Sequence, residues 1–183
     1  HPVKFNNTYK FYEKGFDGVL VEADSDLVNV IEKVRPRDTC VAKAVGVTFE
    51  KEVNFYKMTA NTLSTTVKET VDRYEKESEH RLDNSKTVSA IEINQLLEMY
   101  YPNSAPSFVS LDVESLDLKL VQAWNFERWR PPVFCIETLS YTQSGNAVKL
   151  KDIFLEMENA NYSLYADTYI NSIFIDRALF IPA

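Results

Sequence analysis

Apolar residues along the first third of the chain come in short bursts separated by polar punctuation. Asn6, Asn7 and Thr8 precede an aromatic run over residues 9–14, and Gly15 follows. That order predicts a short helix with Asn7 or Thr8 as N-cap and Gly15 as its stop. Residues 19–22 form a β-branched run that ends in acid. Asp24-Ser25-Asp26 then predicts a capped helix to about Val34, with Leu27, Val28, Val30 and Ile31 as its apolar face and Pro36 closing it. Residues 39–45 read as a second strand, and Gly46 punctuates it. Helix, strand, helix, strand is the rhythm of a parallel α/β sheet. Residues 52–57 alternate polar and apolar, the pattern of an edge or antiparallel strand.

Periodicity fades over residues 59–86, a stretch rich in Thr, Ser, Glu and Lys. It reads as a solvated helix or mobile segment, or as an insertion that shapes a substrate pocket. The rhythm returns with a strand over 87–92, a helix capped by Asn94 and running to Tyr101, a Pro-bounded loop, and a strand over 108–111. A helix over 116–124 comes next, with Leu116, Leu120 and Val121 on one face. Pro131-Pro132 excludes helix, and a strand follows over 133–137. A polar loop around Gly145, a helix over 150–159 and an antiparallel pair over 162–166 and 172–176 complete one domain spanning 1–183.

Three of these strand runs end in carboxylates: Glu22, then Asp112 with Glu114, then Glu137. In open α/β sheets, ligands sit beyond the carboxyl ends of the strands. Three acid-ended strands therefore predict carboxylates gathered on one sheet edge, able to accept hydrogen bonds from ribose hydroxyls, an amino group or a substrate donor. A strand that leads into a helix N-terminus gives the same local pattern, because acids favour the helix dipole there.

Composition narrows the field. The chain has 183 residues, of which 45% are hydrophobic and 26% charged, so a folded domain is expected. A net charge of −7 argues against nucleic acid as partner. No apolar run approaches a membrane span and no leader pattern is visible, so the reading is a cytoplasmic protein without a membrane partner. Two cysteines, Cys40 and Cys135, lie in apolar runs and read as buried thiols. Two histidines leave almost no material for a Cys/His metal site, and no metal is assigned. The four glycines are isolated, so there is no dinucleotide fingerprint and no phosphate-cradling loop. A Gly-x-Ser-x-Gly elbow is also absent.

Longer motifs carry a family resemblance. Residues 108–114 (Phe-Val-Ser-Leu-Asp-Val-Glu), the helix after them, Trp124 through Pro131, and residues 133–137 (Val-Phe-Cys-Ile-Glu) resemble the FkbM-type methyltransferases. Asn7-Thr8-Tyr9, Phe11-Tyr12, Gly15, Gly18, Val21-Glu22, Ala44-Val45-Gly46 and residues 170–174 resemble other parts of the same family pattern. The likeness covers nearly the whole chain apart from residues 59–86.

The resemblance implies a Rossmann-like methyltransferase fold, mostly parallel with an antiparallel C-terminal hairpin. It implies S-adenosylmethionine as cofactor and O-methylation of a sugar or small natural-product hydroxyl, so the expected partner is a small-molecule or glycan acceptor. Asn7, Thr8, Glu22, Ala44, Val45 and Asp112 would bind cofactor, Asp112 and Glu114 would be catalytic, and Glu137 would line the acceptor side. Two departures stand out. The family's glycine after Asp-Val-Glu is Ser115 here. Its first strand and glycine-rich motif, which would lie immediately before His1, are not in this sequence. Two other readings differ in class. One is a non-catalytic nucleoside- or sugar-binding module of the same fold. The other is a nucleotide-sugar oxidoreductase or epimerase, which usually needs a Tyr-x-x-x-Lys pair or a glycine fingerprint that the chain lacks.

Overall fold

The computed structural model describes residues 2–4, 6–140 and 148–179. In chain order it contains α1 (Tyr9–Glu13), β1 (Val19–Val21), α2 (Ser25–Val34), β2 (Thr39–Val41), β3 (Ala44–Gly46) and β4 (Glu52–Met58). A 3-10 turn (Asn61–Leu63), α3 (Lys68–Glu77), β5 (Leu82–Glu92), α4 (Ile93–Tyr100), β6 (Phe108–Leu111) and α5 (Asp117–Ala123) come next. The chain continues with β7 (Val133–Glu137), β8 (Leu139–Ser140), β9 (Val148–Lys149), α6 (Lys151–Asn159), β10 (Tyr162–Asp167) and β11 (Asn171–Asp176). The fold is α/β with mixed sheets.

Parallel pairing joins β1 to β2, β3 to β5 and β6 to β7. Antiparallel pairing joins β4 to β5, β7 to β11, β10 to β11 and β8 to β9. A mostly parallel sheet is therefore too simple. The C-terminal hairpin is present as expected, but β4 and β5 add a second antiparallel pair, in a separate sheet ordered β3-β5-β4. The larger sheet runs β10-β11-β7-β6, so β6 is an edge, and β1 pairs with β2 alone. Among the described residues no strand lies between β1 and β6.

Several boundaries move for identifiable reasons. The predicted strand over 39–45 breaks because the Lys43 N–H bonds back to the Val41 carbonyl at 2.9 Å, which sends β2 to β1 and β3 to β5. Asn94 is not a cap. Glu92 caps α4 by accepting from the Gln95 N–H at 2.9 Å, while Asn94 inside the helix donates to Glu92 and to the Ala123 carbonyl, each at 2.8 Å. Residues 59–86 hold α3 and the first half of β5. Their signal was faint because α3 buries only Thr70, Val71 and Tyr74, against a small cluster with Met58 that is separate from the main core. The predicted loop around Gly145 falls mainly outside the described residues.

The main core draws on β2, β6, β7 and β11 and on helices α4, α5 and α6. Phe134 sits at its centre, with Trp124 at 5.0 Å and Tyr162 at 5.4 Å in edge-on contacts. Buried aromatic polar tips are satisfied by carbonyls: Trp124 Nε1 by Trp129, Trp129 Nε1 by Tyr101 and Tyr162 Oη by Pro131, each at 2.8 Å. Arg130 grips Asp176 through two bonds of 2.7 and 2.8 Å, fixing the approach to β7 against the end of β11.

The first residues are held by a buried cation. Arg35, 2% exposed, pairs with Asp38 at 2.5 Å and donates to the Pro2 carbonyl, Asn6 Oδ1 and Thr8 Oγ1. Thr8 stands at the N-cap of α1, as expected, but its own side chain does not cap: Asn6 Oδ1 takes the Thr8 and Tyr9 N–H groups, each at 2.9 Å. Gly15 ends that turn with φ +96°, a conformation glycine adopts without steric cost. No helix among the described residues is long and apolar enough to cross a membrane.

Removing the Arg35 charge strands Asp38, whose side chain is 1% exposed, in the interior. Breaking a buried pair from one side costs about 3–5 kcal/mol. Arg35→Met is expected to lose stability on that scale in denaturant unfolding, and a loss below about 1 kcal/mol would show that the pair is not what fixes the N-terminal turn.

Candidate functional site

The register of β6 and β7 builds the site. Leu111 pairs with Ile136, and both side chains enter the core. Strand side chains alternate between faces. The next residues along the two strands, Asp112 and Glu137, therefore emerge side by side on the other face. Glu114 joins them from a tight turn in which Glu114 has φ +31° and Ser115 φ +80°. The resembled family has glycine where Ser115 stands, and the left-handed backbone gives the reason: glycine takes it freely, while serine bears a cost of order 1–2 kcal/mol. One carboxylate oxygen from each of Asp112, Glu114 and Glu137 lies within 4.8 Å of the other two.

Two groups from the stretch over 59–86 support this turn. Tyr74 Oη donates to Glu114 Oε2 at 3.2 Å, and Thr65 Oγ1 donates to the Glu114 carbonyl at 3.0 Å. The stretch thus touches the turn that carries Glu114. Asp117, 3% exposed, accepts the Val113 N–H at 3.2 Å and holds the turn from beneath.

The electrostatics are one-sided. Among the described residues no lysine or arginine forms an ion pair with Asp112, Glu114 or Glu137. Burial, then the Asp112 charge, pushes Glu114 up to about 8. Burial, then the Asp112 and Glu114 charges, pushes Glu137 up to about 9, with Asp112 also in hydrogen-bonding reach. Burial raises Asp117 to about 7, against the N–H bond from Val113. Arg73 acts on Glu114 in the opposite sense but does not offset its burial. Such a cluster favours any positively charged occupant.

The other predicted site residues are spread out. Glu22 stands at the end of β1, where its Oε1 accepts the Asp24 N–H at 2.8 Å and burial raises its pKa. The charge of Asp24 acts on it, and the acid trio is not among the leading influences. Asn7 Nδ2 donates to Ser110 Oγ on β6 at 3.1 Å. The Thr8 hydroxyl is taken up by Arg35 and Asn6, which gives it a structural task. Ala44 and Val45 line a hollow of about 400 Å³ with Gly46, Thr66, Leu116 and Lys119, and none of Glu22, Asp112, Glu114 or Glu137 lines it. Tyr74, Thr65 and Asp117 were missed by sequence reasoning. For Tyr74 the available signal was the Val71–Tyr74 pair, two apolar residues three apart in an otherwise charged run.

Compared with protein-family models, curated proteins and solved structures, the chain matches none of them.

A carboxyl with a raised folded pKa holds its proton more tightly folded than unfolded. Its contribution is complete below the ordinary value of 4.5 and is lost as pH climbs through about 8 for Glu114 and about 9 for Glu137. In buffer free of divalent ions, the melting temperature is expected to fall steadily from pH 5 to 9, and Glu137→Gln should flatten the alkaline part of that slope. A flat profile for the unmodified chain would contradict the crowding of these acids.

Proposed function

We propose that this chain is an S-adenosylmethionine-dependent methyltransferase acting on a hydroxyl of a small-molecule or glycan acceptor. The observation that carries the reading is the trio Asp112, Glu114 and Glu137, brought together at the carboxyl ends of two adjacent parallel strands with no ion-paired base among the described residues. The sequence resemblance to FkbM-type methyltransferases, carried in part by the same residues 108–114 and 133–137, agrees with it.

The residues fit the cofactor in charge and donor type. The cofactor carries an ammonium and a sulfonium, and among the described residues the acids at the end of β6 form no ion pair, with the Arg73 charge acting on Glu114 without offsetting its burial. Glu22, a half-buried carboxylate at the end of β1, is an acceptor suited to ribose hydroxyls. The hollow beside Ala44 and Val45 is within the volume range of small-ligand pockets and would take the base. When bound, the cofactor supplies an electrophilic methyl group.

The chain's own task is to align and to move a proton. Asp112 is exposed and lies beside both other acids, so it is the group placed to steady positive charge near the transferring carbon. Glu114, held by Tyr74, and Glu137 face the acceptor side. A carboxylate of raised pKa near neutrality is a matched general base for a hydroxyl proton. Holding the reacting atoms in line supplies much of the remaining rate.

Ligand binding to the native state alone raises the melting temperature. S-adenosylmethionine is therefore expected to stabilise the chain thermally. Glu22→Ala should raise its dissociation constant by roughly one to two decades, the scale of a charge-assisted hydrogen bond. Asp112→Ala should leave the far-UV circular dichroism unchanged and reduce binding or turnover. Absence of any thermal or calorimetric response to S-adenosylmethionine would end this reading, and binding without methyl transfer to any hydroxyl acceptor would favour the binding-module alternative.

A further inference from the structure

We infer that Asp112, Glu114 and Glu137, with Asn171, form a binding site for one hard divalent cation. This deepens the reading above, in which Glu114 and Glu137 face the acceptor and Asp112 lies beside the transferring carbon. Two independent observations lead to it.

The first is the geometry of the trio. Its three oxygens lie within 4.8 Å of one another, and opposed oxygens around a calcium-sized ion lie about 5 Å apart, twice a bond of about 2.4 Å. Three carboxylate oxygens select hard ions such as Ca²⁺, Mg²⁺ or Mn²⁺, and burial with the Asp112 charge keeps the neighbouring Cys135 thiol in its neutral form. The second is an orphaned acceptor. The side-chain oxygen of Asn171 is shut off from solvent and has no hydrogen-bond partner. Asn171 is the direct cross-strand partner of Glu137 in the antiparallel β7–β11 ladder. Directly opposed residues in such a ladder project from the same face with their Cβ atoms about 5 Å apart. The unpaired amide oxygen therefore lies on the face that carries Glu137, and an amide oxygen is a common calcium ligand. A buried acceptor left unpaired is costly, and a metal ion relieves it together with the carboxylate crowding.

The cation would give the acceptor oxygen a Lewis acid, which makes its hydroxyl easier to deprotonate. That narrows the acceptor to one whose hydroxyl is free to coordinate.

Mn²⁺ is the probe, titrated into chelator-stripped chain and followed by the spin-resonance signal of the free ion, with Ca²⁺ as competitor. One Mn²⁺ should bind per chain, saturably and well below about 1 mM. Asp112→Asn and Glu137→Gln should each weaken it at least tenfold. Asn171→Ala should weaken it severalfold and Asn171→Asp should restore it, with circular dichroism confirming the fold. Glu98→Gln, at an exposed position on α4, should change nothing. No saturable binding below 1 mM, or binding indifferent to the first two variants, overturns the site. Mn²⁺ binding alongside a failed response to S-adenosylmethionine would remove the methyltransferase reading and keep this one, and the converse would remove this one alone.

Discussion

The register between β6 and β7 is the constraint on which the site depends. Pairing Leu111 with Ile136 sends one apolar side chain from each strand into the core and leaves Asp112 beside Glu137 on the opposite face. A slip of one residue would reverse both faces, placing carboxylates in the core and Leu111 outside. Burial of Phe134, Ile136 and Leu111 therefore enforces the proximity of like charges that the carboxylates alone would resist. Hydrophobic burial holds the strands in place, and the electrostatic strain gathers at their ends. The buffering groups are local: Asp117 accepts the Val113 N–H, and Tyr74 donates to Glu114.

The supporting shell comes from parts of the chain far apart in sequence. Arg130 ties the loop before β7 to Asp176 at the end of β11, and Tyr162 caps the Pro131 carbonyl, which fixes where β7 begins. At the other end of the ladder, Thr138 and Ser172, both fully buried, share a 2.7 Å hydrogen bond, and Lys149 reaches Thr138 at 3.0 Å and Asp167 at 2.7 Å. β7 is thus pinned at both ends by polar contacts as well as along its length by β6 and β11. A carboxylate on such a strand has little freedom to swing away from its neighbours, which is what a site for a small cation or a reacting group requires.

How much of this was legible depended on the range of the interactions involved. The strands ending at Leu111 and Glu137 were plain, because a buried strand bounded by polar residues writes its own pattern. The α2 cap at Asp24 and the glycine stop at Gly15 were equally local and were read correctly. Long-range pairing was not legible. Residues 39–45 look like one strand, and only the partners β1 and β5 divide them. The helix α3 carries a thin apolar stripe, so its charged majority hid it, and Tyr74 with it. Asn171 was legible only as part of the closing hairpin, since its position opposite Glu137 is a matter of hairpin register. Glu22 is not among the acids gathered within 4.8 Å of one another, and sequence alone does not set it apart, because every acid-ended strand looks alike.

The separation of Glu22 from the trio has a physical basis in the pairing of β1. Its hydrogen bonds to β2 run from the Gly18 carbonyl and the Glu22 N–H, so Val19 and Val21 turn their backbone groups the other way. On that side the Val19 N–H lies near the Tyr101 hydroxyl and helps to stabilise its ionised form. Contacts between the two halves run through side chains as well: Phe11 meets Phe108 at 5.0 Å, and Asn7 meets Ser110. Side-chain contacts of this kind fix distance less tightly than a backbone ladder, which spaces strands at about 4.8 Å. The end carrying Glu22 is therefore held less firmly relative to Asp112 than Glu137 is. A ligand spanning the two would gain affinity by drawing them together, and would pay for that ordering out of its binding energy.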